Sequence, residues 1–391
     1  TGTFTTQTTD TVKLGNGADV KGVDSGAGAG GAFTATNLTA TGNATMTRLQ
    51  NNGFSGTVSV TGTNTFTMTT AGAVTALAGV DTYQLAAGAQ TITLAEAGQN
   101  VTADGTGGNG LVTIDTGSLT SVTGTFTSAG NDTMKLLLSS TSGVDISAVT
   151  MTAVDNVGLD TDAGGTMTVA QHNVINSAAG TNQVTLTDTG TFTANADVET
   201  YVLKASGGTT ITLSAADQNV TTGTGGADTI DVAGLTATGT FNTVAADIIK
   251  IDDGGSIAGV TETDGAVGGA LDANNLTLVD NASVSMTSAQ HNGFSGTVTA
   301  GGTEQITLTT AGTVSGESVI ETYVLSGTGN VFTLGAAAQS VNTGTGGSNT
   351  VDVSTLTATG TFTTQTTDTV KLGNGANIAG ATKSGGSAGD A

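Results

Sequence analysis

The sequence has 391 residues, of which 61 are glycine and none is proline, cysteine or tryptophan. Only 10% of the residues are charged, and 31 acidic side chains against 8 basic ones give a net charge of −23. Nucleic acid is an unfavourable partner because its phosphates would repel this surface, and without cysteine no disulfide can form. Since no apolar run reaches the roughly 18 residues of a membrane-spanning helix, we expect no membrane insertion.

Repeats of about 120 residues organise the chain. Three tyrosines and three Met-Thr-x-x-Gln segments recur at that spacing: Tyr83, Tyr201 and Tyr323, and the segments from Met46, Met167 and Met286. They divide the sequence into the end of a preceding repeat at 1–37, repeat 1 at 38–156, repeat 2 at 157–281 and repeat 3 at 282–391. Residues 1–18 recur without change at 359–376, so the chain reads as a slice of a longer array or as a subunit that stacks end to end.

Strands are predicted throughout, because apolar residues alternate with Thr, Ser or Asp in short stretches such as TFTMTT from Thr65, TITLS from Thr210 and NTVDV from Asn349. Such period-2 alternation, bounded by Gly and Asn, is typical of strands. The aromatic content of 3% favours a narrow interior. We therefore predict an all-β solenoid or β-roll of tandem repeats, with tandem β-sandwich domains as the alternative, since 120 residues also suit a sandwich.

One segment in each repeat predicts a short helix. TRLQNNG, TVAQHNV and TSAQHNG all begin with a threonine suited to an N-cap. The two histidines of the sequence, His172 and His291, fall at one position of this segment, where repeat 1 has Asn51. A catalytic or metal-binding histidine would not tolerate asparagine, so we expect a structural polar position.

A glycine-rich loop suggests calcium. GTGGADTID at 223–231 resembles the nonapeptide of RTX (hemolysin-type) repeats, G-G-x-G-x-D-x-U-x, with Gly223 and Asp228 in register. In that family the aspartate and the carbonyls of neighbouring turns bind Ca²⁺ inside a parallel β-roll, so the resemblance implies a site at Asp228 and Asp231. Repeat 3 has Asn349 in place of the first aspartate, and a glycine-rich turn between strands is the alternative.

Two further acidic pairs are candidate calcium ligands. Asp160 and Asp162 lie in LDTDAGG, and Asp252 and Asp253 follow the strand DIIKI. Alternating carboxylates next to glycine can surround a hard cation. Because neither pair recurs in the other repeats, solvated turns are the alternative.

Lysine and threonine recur on the predicted strands. Four lysines each follow an aspartate by three residues: Lys13, Lys135, Lys250 and Lys371. Positions i and i+3 face opposite sides of a strand, so we interpret the lysines as outward charges that discourage wrong edge pairing. The T-x-T triplets are irregularly spaced, which predicts ordinary outward threonines rather than one aligned ladder able to order water.

By composition and repeat style the whole chain resembles large Gly/Thr/Asp-rich, cysteine-free bacterial surface proteins, namely S-layer proteins with RTX-like modules and giant RTX-type adhesins. This resemblance implies an extracellular location on the bacterial surface, with Ca²⁺ assisting folding or assembly. The residues themselves indicate an acidic structural protein, either an adhesin stalk or a subunit that self-associates head to tail into a fibre, layer or biofilm matrix.

The alternative function is that of a carbohydrate-binding or carbohydrate-active β-helix protein, with cell-surface polysaccharide as the partner. Enzymes that act on polysaccharides usually carry basic and aromatic subsites, and Arg48 is the only arginine in this sequence. We therefore expect no enzymatic activity.

Overall fold

The computed structural model describes residues 2–103, 110–128, 133–262 and 265–383. The chain divides into two compact units, Thr1–Thr187 and Asp188–Ala391. In each unit short strands wind into stacked coils, and the two units together hold about 18 turns of a β-solenoid. The ladders between the named strands are parallel, as between β10 and β12 below. The predicted solenoid is thus confirmed, whereas an antiparallel sandwich would have shown hairpin pairing.

The described residues of unit 1 form 21 strands and two helices. Its strands are β1 Gly2–Thr3, β2 Thr11–Leu14, β3 Ala18–Asp19, β4 Val23–Asp24, β5 Asn37–Thr41, β6 Ala44–Met46, β7 Val58–Thr61, β8 Thr65–Met68, β9 Gly72–Thr75, β10 Thr82–Gln84, β11 Gln90–Thr93, β12 Asn100–Thr102, β13 Leu111–Asp115, β14 Thr125–Thr127, β15 Thr133–Leu138, β16 Val144–Asp145, β17 Thr150–Thr152, β18 Asn156–Thr161, β19 Gly164–Met167, β20 Ile175–Ala179 and β21 Gln183–Leu186. Its helices are α1 Arg48–Gly53 and α2 Val169–His172.

Unit 2 contains 20 strands and one helix among its described residues. Its strands are β22 Thr191–Thr193, β23 Thr200–Val202, β24 Thr210–Thr212, β25 Asn219–Thr221, β26 Thr229–Asp231, β27 Thr240–Asn242, β28 Ile248–Ile251, β29 Thr261–Glu262, β30 Asn275–Leu278, β31 Ser283–Met286, β32 Val298–Thr299, β33 Gln305–Leu308, β34 Thr313–Ser315, β35 Thr322–Leu325, β36 Val331–Thr333, β37 Ser340–Asn342, β38 Thr350–Asp352, β39 Thr361–Thr363, β40 Thr369–Lys371 and β41 Thr382–Lys383. Its helix is α3 Ser288–Gly293.

Successive strands of the chain alternate between two sheets, so that each coil contributes one strand to each. In unit 1 the two main sheets have the orders β3-β6-β8-β10-β12-β14-β17 and β9-β11-β13-β15-β18-β20. In unit 2 the corresponding orders are β31-β33-β35-β37-β39-β41 and β34-β36-β38-β40, preceded by β23-β25-β27-β29 and β22-β24-β26-β28-β30-β32. Consecutive strands such as β10 and β11 thus lie in different sheets, because the chain turns around the narrow interior between them.

The interior is a ladder of medium-sized apolar side chains. Phe66, Tyr83 and Val101 lie opposite one another on three consecutive coils and are fully buried. The neighbouring positions, such as Thr65 and Thr67, point outward and stay partly exposed. Alternation along each strand therefore creates the core, as the period-2 pattern predicts.

All three predicted helices are present, each for the same local reason. In α1 the Thr47 side chain accepts a hydrogen bond from the backbone N–H of Gln50, and the Gln50 side chain accepts one from the backbone N–H of Thr47. The same capping box opens α2 and α3. This reciprocal pair satisfies N–H groups that a helix start leaves without partners.

Candidate functional site

Asp228, the aspartate of the RTX-like loop, is fully buried and held by backbone groups. One carboxylate oxygen accepts a hydrogen bond from the N–H of Thr209 at 2.7 Å, and the other accepts one from the N–H of Gly223 at 3.0 Å. Its own N–H donates to Asp247 Oδ1 at 2.9 Å. Burial raises the pKa of Asp228, although both hydrogen bonds to its carboxylate oppose that shift. The carboxylate thus ties its own loop to the preceding coil, and the backbone N–H of Asp228 ties it to the following one.

Asn349 occupies the same place in repeat 3 with a neutral amide. Its Oδ1 accepts a hydrogen bond from the N–H of Asn330 at 2.9 Å, and its Nδ2 donates to the carbonyl of Gly346 at 2.7 Å. An aspartate and an asparagine therefore hold equivalent loops through the same kind of contact. The corresponding loop residues 105–109 of repeat 1, together with Asp132 of its D-x-x-K motif, lie outside the described residues.

Asp231 and Asp252 meet at a lysine. Lys250 Nζ lies 2.6 Å from Asp231 Oδ2 and 3.3 Å from Asp252 Oδ1. Asp231 and Lys250 are direct partners in the ladder between β26 and β28, and their hydrogen bond raises the pKa of Lys250. Lys371 and Asp352 repeat this contact at 2.7 Å. These lysines point outward, as expected, and pair with an aspartate of the preceding coil rather than with the one three residues earlier.

Of the remaining acidic candidates, Asp160 lies in β18, Asp162 lies in the turn that follows this strand, and Asp253 lies in the turn after β28. Each accepts one backbone N–H: Asp160 from Thr161 at 2.8 Å, Asp162 from Thr181 at 2.6 Å, and Asp253 from Ser283 at 2.9 Å. Across the four described ranges, no three acidic or histidine side chains are grouped so that they could hold a metal ion. Calcium binding by the six candidate aspartates stays a prediction.

The histidine position contacts a buried tyrosine of the following coil. His291 Nε2 lies 3.1 Å from the Tyr323 hydroxyl. In repeat 1 the Tyr83 hydroxyl donates instead to Asn51 Oδ1 at 3.3 Å. Burial lowers the pKa of His291 to about 4, so its ring is neutral at pH 7. This exchange of His for Asn at one contact supports a structural role.

A buried glutamine that sequence reasoning did not single out as functional connects the coils. Gln99 Oε1 accepts a hydrogen bond from the N–H of Ala95 at 2.8 Å, and its Nε2 donates to the carbonyls of Leu77 and Val80 at 2.9 and 3.1 Å. Gln171, Gln218 and Gln339 likewise each donate to two carbonyls of an earlier coil. The recurrence of these glutamines in the sequence could have revealed this role, because a buried amide needs hydrogen-bond partners for both its oxygen and its nitrogen.

The outer face of the β8-to-β17 part of the first sheet in unit 1 carries an aligned ladder of hydroxyls and amides, which we call the threonine face. Its consecutive coils present Thr65 and Thr67, Thr82 and Gln84, Asn100 and Thr102, Thr125 and Thr127, and Thr150 and Thr152. Only β8, β14 and β17 carry a T-x-T triplet on this face, whereas β10 is TYQ and β12 is NVT, so the threonines do not form one triplet per coil. Loops of different length nevertheless keep the five strands in register. None of these ten side chains is charged, although the chain has a net charge of −23.

The last coil of unit 2 leaves apolar side chains exposed. Val370 is 38% exposed and Leu372 is 48% exposed, and both line a groove of about 600 Å³. The same sequence occurs in the first coil of unit 1, where Val12 and Leu14 are only 9% and 6% exposed. Strand β40 is the last of its sheet, whereas β2 pairs with β5. Val12 and Leu14 are therefore buried because β5 lies beside β2, whereas no described strand pairs with β40 on the corresponding side.

No protein-family description, curated protein or solved structure matches this chain. Within the described residues no helix has the length and apolar character needed to cross a membrane.

Proposed function

We propose that the chain is a structural repeat protein of the bacterial cell surface, which assembles end to end into a fibre or layer. The observation that carries this proposal is the use of the buried polar side chains. Gln99 donates to two backbone carbonyls of the preceding coil, and Asp228 accepts from the N–H of Thr209 in the preceding coil, so both side chains join coils into a stack. A repeated stack supplies length and surface, the usual products of solenoid architecture.

An extracellular location and the likeness to RTX-type and S-layer proteins are part of the proposal. Support comes from the acidic, cysteine-free composition and from the RTX-like sequence at 223–231. We propose that Ca²⁺ assists assembly by reducing repulsion among carboxylates on a chain of charge −23. Asp160, Asp162 and Asp253 are the candidates for such contact, since each is bound by a single backbone N–H in the described contacts.

Negative-stain electron microscopy of the purified chain tests this function. We expect ordered fibres or sheets in millimolar Ca²⁺ that disperse after chelation. Samples in Mg²⁺, and in NaCl of equal ionic strength, separate calcium binding from general screening. Isolated rods in every condition would contradict the assembling role and favour a passive stalk.

The threonine face supports polysaccharide binding as a second candidate function. Ten uncharged hydroxyl and amide side chains in register offer repeated hydrogen-bond donors and acceptors. Co-sedimentation with an insoluble neutral glucan tests this candidate. We expect Thr102→Glu, on the threonine face, to abolish binding, and Thr93→Glu, on the other sheet, to leave it intact. Equal binding by both variants would exclude the threonine face as the binding surface.

A further inference from the structure

We propose that Glu304 and Glu321, on neighbouring coils of unit 2, bind a divalent cation of the size of Ca²⁺. This site is separate from the six candidate aspartates described above. It goes beyond the proposed function, because it would stabilise two coils within one copy and does not require copies to assemble.

The corner position of Glu304 carries a different residue in the other two repeats. Residues 46–99 and 286–339 align without a gap, and Glu304 then stands where repeat 1 has Asn64. In repeat 2 the residue before the equivalent strand, β21, is Asn182. Each of the three residues is 1% exposed. The position is therefore buried in every repeat, but only repeat 3 places a carboxyl group there.

In repeat 1 the amide of Asn64 supplies hydrogen-bond donors to this corner. Its Nδ2 donates to the carbonyls of Gly62 and Gly79 at 2.9 and 3.1 Å and to Asp81 Oδ2 at 2.8 Å. In repeat 2 the Nδ2 of Asn182 likewise donates to two carbonyls. The corner thus presents oxygen atoms to the buried side chain, and an NH₂ group satisfies them.

Repeat 3 keeps the neighbouring carboxylate but has no amide donor. The N–H of Asn64 donates to Asp81 Oδ2 at 2.9 Å, and in the same way the N–H of Glu304 donates to Glu321 Oε2 at 2.9 Å. Glu304 Oε1 accepts a hydrogen bond from the N–H of Asn281 at 3.0 Å. The other oxygen, Oε2, is buried and has no hydrogen-bond partner among the described residues. Since an ionised carboxylate can only accept, the donor that repeat 1 provides is missing.

No basic side chain of the surrounding sequence can replace that donor. Neither lysine nor arginine occurs between Lys250 and Lys371, and the same stretch contains eleven acidic residues. A buried carboxylate without a partner is costly, and like charges on adjacent coils repel each other. A bound divalent cation removes both penalties, because it neutralises the two carboxylates and gives the buried oxygen a ligand bond.

The groups around Glu304 also suit Ca²⁺ chemically. Ca²⁺ takes carboxylate and backbone carbonyl oxygens in a flexible geometry. Gly302 and Val319 align with the two residues whose carbonyls accept from Asn64, so their carbonyls are the candidates to complete the ligand set. Such a set needs two carboxylates only, which agrees with the lack of any group of three acidic or histidine side chains in the described ranges.

Hydrogen exchange of the full chain, at concentrations that keep it monomeric, tests the site. A cation that binds only the closed form slows exchange by a factor of 1 + [Ca²⁺]/Kd, so we expect about tenfold slowing at about ten times Kd. The slowing should appear across residues 300–325. The aligned segment 60–85, which contains Asn64, should not respond. NaCl of equal ionic strength controls for general screening.

Three substitutions locate the response. Glu304→Asn, which copies Asn64, should abolish the Ca²⁺ response of 300–325 and keep the fold. Asp272→Asn removes the same charge from an exposed position of unit 2 and should leave that response intact. Asn64→Glu rebuilds the pair of carboxyl groups in repeat 1 and should create a response in 60–85. Circular dichroism checks folding, and Glu304→Asn alone decides if Asn64→Glu does not fold.

The outcomes separate a bound cation from the alternatives. A Ca²⁺ response confined to 300–325 and lost in Glu304→Asn supports the site. An equal response in Glu304→Asn, or an equal response to NaCl, overturns it. If Ca²⁺ has no effect but exchange, corrected for its intrinsic pH dependence, slows at a pH of about 5, Glu304 binds a proton and the cation site is overturned. The absence of both effects overturns it as well, and none of these results depends on whether copies assemble.

Discussion

The buried side chain of Gln99 bonds backbone groups of two successive coils. Gln99 is 1% exposed and bonds two backbone N–H groups and two carbonyls. The substitution Gln99→Glu would place an ionised oxygen against the carbonyls of Leu77 and Val80. We expect it to lower the free energy of unfolding at pH 7 by about 3 kcal/mol, the scale of an unsatisfied charged group.

The loss of unfolding free energy caused by Gln99→Glu should become smaller at lower pH. The introduced carboxyl has a raised pKa in the folded state, so its contribution to stability is greatest when protonated and declines as the pH rises through that pKa. Urea unfolding at pH 7 and pH 5 measures this, with Gln84→Glu on the exposed threonine face as the matched control. A loss that does not change with pH would contradict the bonding described for Gln99.

Protonation of His291 is expected to make stability depend on pH. Burial lowers the pKa of His291 from 6.5 to about 4, so the unfolded chain binds a proton that the folded chain rejects. The contribution of the neutral His291 to the free energy of unfolding is fully present above pH 6.5. It falls by up to about 3 kcal/mol as the pH drops to 4. In His291→Asn, which copies Asn51 of repeat 1, the fall between these pH values should be smaller. Equal pH profiles would contradict this account.

At the scale of strands, two equivalent ion pairs differ in burial and should differ in energy. The side chains of Lys250 and Asp231 are 32% and 10% exposed, whereas those of Lys371 and Asp352 are 64% and 15% exposed. We expect Lys250→Met to lower the free energy of unfolding by about 1–3 kcal/mol, because it leaves a largely buried carboxylate unpaired. Lys371→Met should cost less than about 1 kcal/mol. Chemical denaturation of both variants measures the difference.

The strands and helices follow from local pattern, but their pairing does not. Alternation identified stretches such as TFTMTT, and a threonine suited to an N-cap identified the helices, because both signals act within one turn of chain. Register depends on loop lengths, so the aligned threonine face did not follow from irregular spacing. One partner of the Asp228 carboxylate is the N–H of Thr209, 19 residues earlier, and no local motif specifies which groups of a neighbouring coil face a loop.

For the whole molecule, stacked coils imply that a destabilising substitution affects only the coils near it. Each strand pairs only with those of adjacent coils, as β10 does with β8 and β12, so stability is close to a sum of neighbour terms. We expect Gln99→Leu to raise amide hydrogen exchange in β10, β12 and β14 and to leave β33–β37 unchanged. A uniform rise across both units would show that the solenoid unfolds as one cooperative body.

The parallel stacking within each unit also has a mechanical consequence. The backbone hydrogen bonds join one coil to the next, so the interfaces lie in series along the stacking direction, and a pull in that direction separates them one at a time. A coil like that from Tyr83 to Val101 would then release roughly 60 Å of slack, at about 3.4 Å per residue. Such a chain would yield stepwise under tension, absorb work with each step and recoil when the load is removed, as a tether exposed to fluid shear requires.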